Sequence, residues 1–212
     1  TSSTLIDPNQ EYQNYQNNAC LDYAYGDFTV SKTDDAWGSC RLLKSKKEAS
    51  VYSDYYNPAT GEYGFGPDGV NDLIWQLVLK DAAFKNRGTP TTVTISDTMP
   101  TTDSGIPIMQ LMEGSLRIRS TAVTDGNVPV YITNYTLNNS GTGFTLTFDV
   151  PADWASDTVY VFYCCEMTSE YMATVQGDTY LNNVTNTATA GWDGASEQLQ
   201  ATTGLNVPDK RL

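Results

Sequence analysis

From about Asp72 onward the chain is cut into short runs rich in Val, Ile, Thr, Tyr and Phe, separated by Gly, Pro, Asn and Asp. The clearest are TTVTISD (residues 91–97), SLRIRSTAV (115–123), VPVYITNYTL (128–137), GFTLTFDV (143–150) and DTVYVFYCCE (157–166). β-branched and aromatic side chains suit a pleated, half-buried surface, whereas the separating residues supply turn geometry. Regular repetition of the two points to a sandwich of antiparallel strands. In GFTLTFDV the alternation is strict. Phe144, Leu146 and Phe148 share one face and Thr145, Thr147 and Asp149 the other, so one side is expected to be buried and one wet. The segment DLIWQLVLKDAAF (72–84) is dense enough in apolar residues for a buried strand or a short helix, and its first half reads as a strand.

A chain of 212 residues with a hydrophobic fraction of 40% has room for one large domain, or one domain and a fragment of another. Against 12 basic residues stand 25 acidic ones, with no histidine, for a net charge of -13. The acidic residues are scattered along the chain, and nucleic acid or an anionic membrane would demand clustered Lys and Arg in place of this acidic balance, so neither is expected as a partner. No apolar run is long enough to span a bilayer, and a start at Thr1 without a basic and apolar leader reads as a mature or excised chain.

Four cysteines are present: Cys20, Cys40 and the adjacent Cys164 and Cys165. Neighbours on a strand point to opposite faces, so at most one of the adjacent pair faces a given core. Without a CxxC spacing or any histidine, no metal site is expected. In an oxidising compartment a Cys20–Cys40 bridge is the favoured pairing, with the two other pairings and free thiols left open. The stretch from Tyr12 has the layout of the stretch from Tyr180, each with an Asn-rich start, an Asn-x-Ala step and an aromatic and Gly turn. That similarity divides the chain into residues 1–41, the closing strands of a preceding repeat, and a main domain over residues 42–212.

The order LLKSKKEASVY, LIWQLVL, TTVTISDTMP, EGSLRI, VTNTAT, spread over residues 42–205, resembles the collagen-adhesin-type and fimbrial D2-type domains of Gram-positive surface proteins. The resemblance implies an all-β, Ig-like antiparallel β-sandwich of the collagen-adhesin type. It also implies an internal isopeptide bond between a first-strand lysine and a last-strand asparagine, promoted by an acid on a facing strand. Matched motif by motif, the lysine is Lys47, the acid Asp97 and the asparagine Asn186. Lys46 and Lys44 beside the first, and Asn182 or Asn183 beside the last, remain alternatives. The insertion over residues 52–70 departs from the pattern of shorter family members. By the same resemblance the chain would be an extracellular, cell-wall or cell-surface adhesin or pilus module. Its partners would be neighbouring domains of the same protein and a host extracellular protein or glycan. It would use no cofactor and carry out no turnover chemistry.

Such a bond has physical requirements that stand apart from any family. A lysine amine attacks only when neutral, and burial among apolar and aromatic groups lowers its pKa. Burial pushes a carboxyl group toward its neutral form, in which it can polarise an amide carbonyl and help ammonia leave. The bland alternative is a solvated lysine, a turn-capping aspartate and an asparagine bonding at a strand end. Other candidates are thinner. Asp149, Asp153 and Asp157 could be paired carboxylates for glycoside hydrolysis, but Pro and turn residues between them suggest a solvated loop. DGVND (68–72) lacks EF-hand spacing. Tyr55, Tyr56 and Tyr63 in the Gly-rich insertion could stack on a sugar or anchor a protein, or simply pack the loop down. Conventional catalysis lacks a histidine base, a nucleophile motif and a phosphate loop.

Overall fold

The computed structural model describes residues 12–25, 28–41, 45–51, 55–57, 62–64, 73–112, 114–121, 128–175 and 179–207. The chain divides into two units, Thr1–Lys44 and Ser45–Leu212. The first holds a hairpin in which β1 (Tyr12–Tyr25) pairs antiparallel with β2 (Phe28–Arg41). Its register sets Cys20 opposite Thr33 and Cys40 opposite Gln13. Seven strand positions therefore separate the two cysteines along the hairpin, roughly 23 Å at about 3.3 Å per residue. The Cα atoms of a disulfide stand only about 4.4–6.8 Å apart. The expected Cys20–Cys40 bridge is thus not compatible with this register; both side chains lie outside the described residues.

The second unit runs β3 (Lys46–Val51), β4 (Tyr55–Asn57), β5 (Glu62–Gly64), β6 (Leu73–Lys80), a 3-10 turn (Ala82–Phe84), β7 (Thr91–Thr98), β8 (Met109–Leu111) and β9 (Arg117–Arg119). It continues with β10 (Tyr131–Ile132), β11 (Tyr135–Asn139), β12 (Gly143–Val150), β13 (Thr158–Met167), helix α1 (Ser169–Thr174), β14 (Thr179–Trp192) and β15 (Ala195–Val207). One sheet has the order β10-β9-β13-β6-β3, with β8 also paired to β13, and the other has the order β11-β12-β7-β14-β15. Every pairing is antiparallel. Leu73, Trp75, Leu77, Val161 and Tyr163 from the first sheet and Val93, Ile95, Leu146, Ala188 and Ala190 from the second share one apolar core. The architecture is an antiparallel β-sandwich.

Period-2 patterning accounts for most of these strands. β7 alternates buried and exposed along its whole length, and in β12 Phe144, Leu146 and Phe148 are buried while Asp149 is exposed. β6 is a strand throughout, and the helical tendency of its segment is confined to the 3-10 turn. Its run is nearly all apolar because both faces are covered. Trp75 and Leu77 enter the main core, whereas Ile74 joins Phe162 and Cys164 in a second cluster on the other face. The adjacent cysteines divide the same way, Cys165 to the main core and Cys164 to the second cluster. Two sequence expectations shorten. Among the described residues of 115–123 the strand is β9, and residues 128–137 split at Thr133 and Asn134, where the chain passes from one sheet to the other.

Candidate functional site

Four strands deliver one polar side chain each into the apolar space between the sheets. On β3, Lys46 and Glu48 point out and pair with each other, which leaves Lys47 facing inward. On β7 the inward set is Thr91, Val93, Ile95 and Asp97, so the carboxylate sits where the pattern otherwise places apolar groups. Gly143 of β12 lies against the Asp97 backbone. A Cβ at that position would come within 2.4 Å of the Asp97 carbonyl oxygen, and only glycine lets the strands approach so closely here.

Asn186 owes its inward direction to a bulge. β14 pairs Leu181 with Leu205 and then Val184 with Thr203, so Asn182 and Asn183 together oppose one residue of β15. Leu181 packs against the core, and strict alternation from it would turn Asn186 outward. The extra residue, with Asn183 at φ 61, resets the parity and buries Val184, Asn186, Ala188 and Ala190. The fourth group, Tyr163, comes from β13, where Val159, Val161, Tyr163 and Cys165 share the core face.

These groups touch. Lys47 Nζ donates to Asp97 Oδ2 at 2.5 Å, and both side chains have no exposed surface. Tyr163 donates its hydroxyl to the same Oδ2 at 2.5 Å, and Asn186 Nδ2 donates to the Tyr163 oxygen at 3.3 Å. The ammonium lies 5.3 Å from the Trp75 ring centroid and 5.6 Å from that of Tyr163, while Phe144 meets Tyr163 edge to face. Burial lowers the Lys47 pKa below its ordinary value, an effect that the attraction of Asp97 only partly offsets. Burial, reinforced by the neighbouring Asp97, raises that of Tyr163 well above the ordinary range and keeps its hydroxyl protonated. Three buried side-chain atoms of this one site lack a hydrogen-bond partner: Asp97 Oδ1, Asn186 Oδ1 and Trp75 Nε1. Folded proteins keep few such atoms.

The alternatives fall elsewhere. Lys46 is exposed and paired with Glu48, and Asn183 is exposed at the bulge; the side chains of Lys44 and Asn182 lie outside the described residues. Tyr55, Tyr56 and Tyr63 belong to a short hairpin in which Tyr56 is the register partner of Tyr63, but their side chains too lie outside the described residues. So does the DGVND turn. Asp149 accepts from Thr92 on an exposed face, Asp153 is exposed, and Asp157 accepts from Thr158. Tyr163 is the member of this buried cluster that sequence reasoning missed. Its parity with Val159 and Val161 was readable and placed a hydroxyl on an otherwise apolar face.

Among the described residues no helix is long and apolar enough to cross a membrane. No family model and no curated protein matches the sequence. Among solved structures, the chain is similar to the collagen-binding domain of a Staphylococcus aureus adhesin, at 13% identity and a TM-score of 0.39 over 76% of this chain and 95% of that one. It is likewise similar to the collagen-binding subdomain of the Enterococcus faecalis surface protein ACE, at 13% identity and a TM-score of 0.41 over 76% of this chain and 94% of that one. A third is a C-terminal fragment of the major pilin of Streptococcus agalactiae, at 14% identity and a TM-score of 0.40 over 78% of this chain and 56% of that one.

Proposed function

We propose that this chain is a structural module of a cell-surface adhesin or pilus, held closed by an amide bond between Lys47 Nζ and Asn186 Cγ. The observation that carries the reading is the fully buried Lys47–Asp97 pair, joined through Tyr163 to a fully buried Asn186 whose carbonyl oxygen has no donor. An ion pair so placed carries a desolvation cost, and proton transfer across the 2.5 Å contact relieves it by giving a neutral amine and a carboxylic acid. The first is a nucleophile. The second turns an acceptor into a donor in a pocket that holds two unpartnered acceptors. The pairing is also mechanically sensible, since β3 lies at the edge of one sheet and β14 in the other. An amide between them staples the sandwich across its gap. Joining residues 47 and 186 closes most of the unit into one loop, worth about 5 kcal/mol by analogy with disulfides.

The test is the intact mass of the reduced protein. A mass one ammonia below the sequence value, restored in Lys47→Ala, supports the bond and its lysine; a full wild-type mass removes it. As a module of this class the chain would sit at the cell surface between neighbouring domains. A host extracellular protein or glycan is its partner class, with the hairpin of Tyr55, Tyr56 and Tyr63 as the contact. Replacing residues 52–70 by a short Gly/Ser turn should then abolish binding to host matrix proteins or a glycan array while leaving the mass deficit intact.

A further inference from the structure

We infer that the Tyr163 hydroxyl is a catalytic residue of the cross-linking reaction, carrying a proton from Asp97 to the departing nitrogen of Asn186. The inference rests on the reading of Lys47 and Asn186 as bond partners. Its basis is the order of contacts: Lys47 Nζ to Asp97 Oδ2 at 2.5 Å, Asp97 Oδ2 to the Tyr163 oxygen at 2.5 Å, and the Tyr163 oxygen to Asn186 Nδ2 at 3.3 Å. Asn186 rests its nitrogen, the atom that must leave, on the tyrosine hydroxyl.

The protons balance along this line. The Lys47 ammonium passes one proton to Asp97 Oδ2 and becomes an amine, whose lone pair attacks Asn186 Cγ. The Nζ–Cγ bond forms and the carbonyl electrons move to oxygen. In the planar amide Nδ2 is a donor only, because its lone pair is delocalised; in the tetrahedral adduct that lone pair is freed and Nδ2 becomes a base. The hydrogen bonds can then reverse. Asp97 gives its proton to the Tyr163 oxygen, Tyr163 gives its own to Nδ2, and the Cγ–Nδ2 bond breaks as ammonia leaves. Asp97 Oδ2 takes the second proton from the new amide nitrogen and ends as the carboxylic acid. Nothing is oxidised or reduced, and no water or outside base is required in a pocket where Asp97 is 2% exposed and Asn186 and Tyr163 are 0% exposed. Burial serves the same end, since it keeps the phenol protonated until the adduct calls on it.

The experiment follows ammonia loss by intact mass after the chain is refolded from denatured, uncross-linked material. Tyr163→Phe keeps the ring and its edge-to-face contact with Phe144 but removes the relay. Cross-linking should slow by roughly 100-fold, the usual contribution of positioned proton transfer, while circular dichroism stays native. Incorporation of 3,5-difluorotyrosine, which keeps the ring and acidifies the hydroxyl, should change the rate and its solvent deuterium isotope effect; this variant decides the matter if Tyr163→Phe does not fold. Unchanged rates in the variants overturn the role of Tyr163 and leave the bond itself standing. A wild type that never loses ammonia overturns the underlying bond as well.

Discussion

Lys47 Nζ and Asp97 Oδ2 meet at 2.5 Å although the residues are 50 positions apart and belong to opposite sheets, and neither side chain has any exposed surface. An ion pair in such a place is weak as a source of stability, because desolvating two charges offsets most of their attraction. Its retention in a core otherwise built of Val, Leu, Ile, Phe and Trp makes sense if the pair has a reaction to perform. The same geometry makes each partner dependent on the other.

Removing Asp97 alone leaves a buried lysine without its counter-charge. Asp97→Ala is predicted to lose about 3–5 kcal/mol of stability, and more where the cross-link also fails. The double variant Lys47→Met/Asp97→Leu, which fills the space with apolar groups, should recover most of that loss without restoring the bond. Urea denaturation of the single and double variants checks this. Equal losses in the two would mean that the pair does not couple.

A second prediction concerns pH, with Asn186→Ala as an uncross-linked reference. Burial sets the folded Lys47 pKa below the ordinary 10.5. Between those two values the unfolded chain holds a proton that the folded one has shed, so stability rises with pH in that window, by at most about 1.4 kcal/mol per unit. Tyr163 works in the other direction. Its folded pKa lies above the ordinary 10.0, so stability falls as the unfolded tyrosine ionises. Asn186→Ala should therefore gain stability with rising pH and lose it again above about 10, whereas Asn186→Ala/Lys47→Met should show only the fall. Once the proposed amide has formed, Lys47 cannot titrate, and the rise should be absent. Urea midpoints between pH 7 and 11 test all three, and a rise that survives Lys47→Met would assign it to another group.

Gly143 offers a backbone test of the same site. A methyl group there would meet the Asp97 carbonyl oxygen at 2.4 Å, so Gly143→Ala must push β12 away from β7 next to the residue that carries the carboxylate. A cost of about 1–3 kcal/mol is expected, together with slower ammonia loss on refolding, because Asp97 shifts against Lys47. Gly141→Ala makes a useful contrast. It has nothing within 4 Å of its Cβ position but a φ of 79, so it should strain the turn and leave the rate of cross-linking alone.

The parts of this architecture that follow local rules were legible beforehand. β7 and β12 could be read from alternation alone, whereas the apolar density of LIWQLVL fitted a buried strand or a short helix and only its first half read as a strand. The inward direction of Asp97 follows from parity with Val93 and Ile95. What the sequence hid depends on pairing. The bulge at Asn182 and Asn183 that turns Asn186 inward appears only when β15 is in register with β14. The meeting of Tyr163 with Asp97 needs two sheets to face each other, and no one-dimensional pattern records that. The same dependence on pairing governs Cys20 and Cys40, which the hairpin register sets seven strand positions apart.

The last prediction lies away from the site and separates stability from cross-linking. Asp81 accepts the backbone N–H of Ala83 with Oδ1, capping the 3-10 turn, and accepts Trp192 Nε1 with Oδ2 at 2.6 Å. Trp192 in turn packs against Phe84 and closes β14 just before the Asp193–Gly194 turn, where positive φ at both residues lets β15 fold straight back. One carboxylate thus ties the β6–β7 connection to the β14–β15 hairpin. Asp81→Ala leaves a buried indole N–H without an acceptor and removes a cap, each worth about 1–2 kcal/mol, so a combined loss of about 2–4 kcal/mol is expected in thermal or urea unfolding. Asp81→Asn, which keeps a carbonyl oxygen but offers one acceptor fewer, should lose about half as much. The mass deficit should be complete in both variants, because Lys47, Asp97, Tyr163 and Asn186 keep their contacts. A variant that folded with wild-type stability would show the tie to be idle, and one that folded but failed to lose ammonia would show that this end of the sandwich governs the strand register on which the site depends.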